Sequence, residues 1–81
     1  MATLEQANMA RKRHASRLRR LGAHSLEVRP GKALGIRGHV VVANVPRGFQ
    51  GKLPTEVAYE VDGTTVKVPV AVQETEPFRA E

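Results

Sequence analysis

A change in hydrophobic period near Gly22 divides this chain in two. Before it, Leu4, Ala7, Ala10, His14, Ala15, Leu18 and Leu21 recur at three- and four-residue spacing, which places them on one helix face. After it, apolar residues alternate with polar ones. Leu26 and Val28 form one such set, Val57, Tyr59 and Val61 a second, and Val66, Val68, Val70 and Val72 a third. The fold class this predicts is α+β: one N-terminal amphipathic helix packed on a three- to four-stranded, mainly antiparallel sheet.

Local signals set the bounds. Thr3 and Gln6 form a capping box that opens a helix over residues 3–21. Gly22 is suited to end it in a left-handed conformation, and Arg19 and Arg20 complement the negative end of its dipole. His24–Arg29 reads as a first strand, with Leu26 and Val28 facing in and Ser25, Glu27 and Arg29 facing out. Pro30-Gly31 turns the chain, and a looser stretch with Gly35 and Gly38 follows. The apolar run His39–Val45 reads as the central strand, stopped by Pro46. Residues 46–54 hold two glycines and two prolines and read as a loop. Asp62-Gly63 then marks a hairpin; a helix from Thr55 is the alternative, but the alternation favours a strand. Pro69 demotes the last strand to an edge or marks a bulge. One domain is expected over residues 1–81: a basic helix (1–22), a β-rich body (23–72) and a loosely held polar tail (73–81).

Size and composition narrow the chemistry. A domain of 81 residues buries roughly 60–65% of its unfolded surface, so its stability margin is thin. There is no Trp, and the core relies on Val, which fills a thin layer and leaves little room for a deep pocket or a cofactor. The absence of Cys excludes disulfides, thiolate metal sites and a Cys nucleophile, and points to a reducing compartment, the cytoplasm. No stretch reaches the roughly 18 apolar residues of a membrane span. Residues 9–25 have the Arg-rich, acid-free look of an organellar transit peptide, against which Glu5 and the short chain argue.

Catalytic patterns are weak. His14, His24 and His39 lack the spacing that sets two imidazoles on one helix face, so no metal is expected. Ser16 falls mid-helix and Ser25 in a strand, and neither lies in a nucleophile elbow. Glu56 and Glu60 read as solvent-facing strand positions rather than an acid–base pair. Gly35, Gly38, Gly48 and Gly51 lie between strands, not before a helix, and do not make a phosphate loop. The chain is expected to be no enzyme, with no cofactor.

Charge singles out the helix. Arg11, Lys12, Arg13, Arg17, Arg19 and Arg20 face a single acid, Glu5, within residues 1–24, whereas residues 25–81 hold seven basic and seven acidic side chains. The whole net charge of +5 therefore resides in the helix segment. Lys12, Arg13, Arg17, Arg19 and Arg20 are expected to point away from the core, with Arg11 inside the apolar sector, obliged to snorkel or find a partner. Such a face suits an acidic protein surface or an assembly partner. The alternative is backbone-directed nucleic-acid binding, weakly specific because the helix carries no aromatic to stack on bases. The same face also serves simply as a solvated surface.

Finally, the segment Leu18-Arg-Arg-Leu-Gly-Ala-His-Ser-Leu-Glu-Val28 resembles the helix-to-strand junction of a small N-terminal accessory module in bacterial trypsin-like serine proteases. The likeness continues through His39–Val45, Leu53-Pro54, Val61–Val68 with its Val-Asp-Gly turn, and Phe78-Arg-Ala80. It implies a propeptide-like α+β module that binds or positions something and does no chemistry. No catalytic residue of that family can be carried over, because the protease domain itself is missing from the sequence. Such a module acts on a separate partner, as an inhibitor, an adaptor or an assembly subunit.

Overall fold

The computed structural model describes residues 1–75. A helix, α1 (Leu4–Arg20), precedes four strands: β1 (Ser25–Pro30), β2 (His39–Val45), β3 (Glu56–Val61) and β4 (Thr64–Glu74). The helix starts where the capping box places it. The Thr3 hydroxyl accepts from the Gln6 amide at 3.1 Å, and the Gln6 side chain accepts from the Thr3 amide at 2.9 Å. It ends at Leu21, and Gly22 leaves with φ of +128°, a backbone that L side chains rarely adopt.

The strands form one mixed sheet in the order β1-β2-β4-β3. β1–β2 and β3–β4 are antiparallel, while β2 and β4 run parallel, with Val41 opposite Val70 and Val45 opposite Glu74. The chain leaves β2, crosses to the far edge, returns as β3 and turns inward at Asp62-Gly63. Both turn residues have positive φ, +49° and +77°, the twist a two-residue hairpin needs.

The edge role expected of the last strand is overturned: β4 lies inside the sheet, between β2 and β3. Pro69 is tolerated there for a local reason. The Val70 amide donates to the Thr55 carbonyl, on the β3 side, at 2.9 Å. Successive residues alternate sides, so the proline nitrogen faces β2, where pairing begins only at Val70. No ladder bond is lost. β4 also absorbs Gln73 and Glu74, so the body extends two residues into the stretch read as a polar tail.

The helix covers one face of the sheet. Ala7, Ala10 and Leu18 meet Val41 and Ala43 of β2, Val57 and Tyr59 of β3, and Val68 and Val70 of β4. Small helix residues over valines bring the two layers close, and Leu18 is the largest fully buried side chain between them. Two apolar positions depart from the expected face: Leu4 is 50% exposed and Leu21 40%. They lie in the first turn and at the C-cap, the two ends of the helix. Val61, expected to face in, is 42% exposed at the end of β3.

On the opposite face, Val40 and Val42 are also buried. The segment between β1 and β2 folds back over that side through a 3-10 turn, Gly31–Leu34. The continuous apolar run of β2 therefore reflects cover on both faces, as its central position requires.

Candidate functional site

The structure spreads the six predicted cations around α1 rather than on one flat face. Lys12, Arg17, Arg19 and Arg20 are exposed, as expected. Arg11 is half-buried on the flank and has no ion-pair partner among the described residues. Arg13 corrects the reading. It remains exposed, but its guanidinium leans back over β3, 5.4 Å from the centroid of the Tyr59 ring. The cause is the rotation per residue: Arg13 lies about 100° from Lys12, on the flank of the helix that overhangs Tyr59. A cation over an aromatic face is held by the ring quadrupole.

None of these cations is neutralised by a carboxylate among the described residues. The one ion pair there joins Arg29 to Glu27 within β1, at 2.9 Å. Arg17, Arg19 and Arg20 also add to the last turn of α1, where backbone carbonyls already favour positive charge. The β2–β3 loop supplies two further cations at the same end. Phe49 packs against Gly22, so the neighbouring Arg47 and Lys52 lie on a loop fastened to the helix terminus. The Gly48 amide donates to Glu74 Oε1 at 2.9 Å and ties that loop to β4.

Beside the cationic flank runs a cleft of about 310 Å³ with a mixed apolar and polar lining. Met9 of the helix, Tyr59 and Val61 of β3 and Val66 of β4 line it, with Thr3, Glu5 and Gln6 at one end. Sequence periodicity gives no hint of this cleft, because it arises where the flank of α1 overhangs the β3–β4 hairpin. Its one legible signal was Met9, an apolar residue on the outer side of a helix whose core face was already filled.

The histidines serve the fold. His14 Nε2 lies 2.8 Å from the Ala58 carbonyl, on the free edge of β3. His24 Nε2 lies 3.0 Å from the Thr75 hydroxyl and 3.2 Å from its carbonyl, fastening the start of β1 to the end of β4. Among the described residues, no three of His, Cys, Asp and Glu gather as metal ligands would. Ser16 is exposed on the helix, and Ser25 Oγ accepts from Asn44 Nδ2 at 3.0 Å. Glu56 and Glu60 are exposed on β3.

The open side of the sheet carries a polar network the sequence reading missed. Asn44, buried within the Val run of β2, also donates to Glu27 Oε2 at 2.8 Å. Arg29 grips both Glu27 oxygens and reaches Gln73 of β4 at 3.5 Å. The Asn44 hydrogen bond first, and the Arg29 guanidinium second, hold the Glu27 carboxyl below the usual range, against a small opposing effect of burial. Asn44 was the visible signal: a lone polar residue inside Val40–Val45, which a buried strand accepts only with partners.

Among the described residues, no helix is long and apolar enough to cross a membrane. Of the segments that carry the likeness to the protease accessory module, Phe78-Arg-Ala80 lies outside the described residues. Comparisons with protein-family models, curated proteins and solved structures return no match.

Proposed function

We propose that this protein is a non-catalytic interaction module of the cytoplasm whose cationic helix flank docks on an acidic surface of another protein. The observation that carries this reading is a juxtaposition. Arg13, Arg17 and Arg20 recur at helical spacing along one flank of α1, and that flank borders the cleft of Met9, Tyr59, Val61 and Val66. Uncompensated charge speeds encounter with an acidic partner, and a cleft that buries an apolar side chain supplies the affinity that screened charge cannot. Phosphate backbones offer no apolar group to fill such a cleft, which favours a protein over a nucleic acid. The resemblance to a protease accessory module supports the same class of role.

The test compares wild type with the Arg17→Gln, Arg19→Gln, Arg20→Gln triple variant. All three side chains are exposed, so the variant stays folded and loses only the roughly 0.3–1 kcal/mol that each cation contributes at the helix C-terminus, a cost checked by its urea midpoint. Nuclease-treated native extract should yield a protein that cross-links to wild type near Met9 and Tyr59 and that the variant loses. Titration with generic duplex and single-stranded oligonucleotides should show no binding at low salt. Oligonucleotide binding whose log affinity falls with log salt at about −0.9 per phosphate contact would instead establish the nucleic-acid reading.

A further inference from the structure

We infer a second docking site on the opposite face of the sheet, for an acidic peptide segment that offers one large apolar side chain. The site is a groove between the 3-10 turn and the sheet. Its walls are Pro30, Ala33 and Leu34, its floor is Val42 and Ala71, and Gln73 closes its far side. The cavity measures about 200 Å³. Pockets for whole small-molecule ligands run about 300–1,000 Å³, so this volume suits a single side chain.

The groove is preformed. The Gly31 amide donates to the Gly38 carbonyl at 2.7 Å, and the Ile36 amide to the Gly31 carbonyl at 2.9 Å. A Cβ at Gly31 would stand 2.7 Å from the Ile36 carbonyl oxygen and 3.1 Å from Val40 Cγ1, so the turn already sits as close to β2 as backbone allows. It cannot collapse further to fill the space. Leu34 consequently stays 53% exposed, although it has an apolar wall beside it. It loses solvent contact only when something enters, and a preordered site does not spend binding energy on its own ordering.

Charge selects the occupant. Glu27, the carboxylate nearest the groove in the network above, is already engaged by Arg29. Lys32 borders the opening. It has no carboxylate partner among the described residues. A segment with carboxylates flanking its apolar anchor matches that rim. A second copy of this chain matches it less well, because an isologous contact centred on the groove would bring two cationic rims together.

The experiment uses the full chain and two-dimensional methyl NMR. The probe is a short peptide with a central Phe flanked by Glu, and the controls replace Phe by Ala or Glu by Lys. The expected result is saturable shifts at the Leu34, Val42 and Ala71 methyls with the probe, and none with either control. Lys32→Glu should weaken binding by about three- to tenfold, the effect of reversing one rim charge. Leu34→Asp, a substitution at an exposed position, should abolish it with the rest of the spectrum unchanged. Shifts confined to Met9, Val61 and Val66 would place the peptide on the helix flank and overturn the second site. So would the absence of any saturable shift, or equal binding of the Ala control.

Discussion

Replacing Gly22 by Ala tests the junction that joins the helix, the first strand and the cationic loop. Two costs are superimposed there. Gly22 holds φ of +128°, where an L residue is strained by about 1–3 kcal/mol. A methyl would also overlap Cε1 of Phe49, with Cζ at 3.0 Å and Cδ1 at 3.2 Å, so the ring must move. Overpacking of this kind costs about 1–3 kcal/mol more. The single variant should therefore lose about 2–6 kcal/mol, a large share of the stability of an 81-residue domain. A double-mutant cycle with Phe49→Ala separates the two costs. With the ring gone, Gly22→Ala should cost only the backbone share, leaving a coupling of about 1–3 kcal/mol. Urea unfolding followed by far-ultraviolet circular dichroism is the suitable assay, since the chain has no Trp to report. Coupling within about 0.5 kcal/mol of zero would show that Phe49 does not rest on Gly22. Arg47 and Lys52 would then have no anchor at the helix terminus.

Other substitutions probe separate parts of the molecule. Leu18→Ala should destabilise by about 2–4 kcal/mol, because it empties the fully buried centre of the helix–sheet layer; an unchanged urea midpoint would refute that packing. Gly63→Val should cost about 1–2 kcal/mol from positive φ alone, since nothing lies within 4 Å of a Cβ built there, and no Phe49→Ala background should alter that value. Glu27 has a lowered pKa, so its contribution is complete above about pH 4.3, its usual value, and is lost as pH falls through the lowered one. Glu27→Gln should be less stable than wild type at neutral pH, with the gap closing in acid. Asn44→Leu, which removes the largest cause of the shift, should move the Glu27 titration upward by carbon-detected NMR.

How far the sequence carried the fold depends on whether a signal was local. The capping box, the Gly22 stop and the Asp62-Gly63 hairpin each involve residues within a few positions of one another, and each stands where expected. The strand order does not. Antiparallel neighbours joined by short turns were the natural expectation, whereas β4 inserts beside β2 and pairs with it in parallel, a choice made between segments more than twenty residues apart. Pro69 pointed to an edge because proline lacks a donor. What decided its place was which way its nitrogen faced, and that follows only from the register with β3. At the site, the charges on α1 were legible from composition. The bend of Arg13 toward Tyr59 was not, since it depends on how the helix lies over β3. Both clefts escaped for the same reason: each is bounded by residues from three or more elements.

The free edge of β3 constrains how any partner can approach. Thr55 turns its carbonyl to β4, so by alternation the backbone groups of Glu56, Ala58 and Glu60 face away from the sheet. An unguarded edge of this kind recruits another strand. Here His14 reaches down from the helix to the Ala58 carbonyl, in the middle of the edge. Glu56 and Glu60 flank that point with exposed carboxylates. An acidic segment adding as a fifth strand would meet like charges on both sides of an acceptor already occupied. The cations of α1 lie on the other side of His14, along the helix. An acidic strand is thus disfavoured at the β3 edge, while the cleft beside the helix stays open to an acidic partner, and His14, which satisfies the edge, stands between the two.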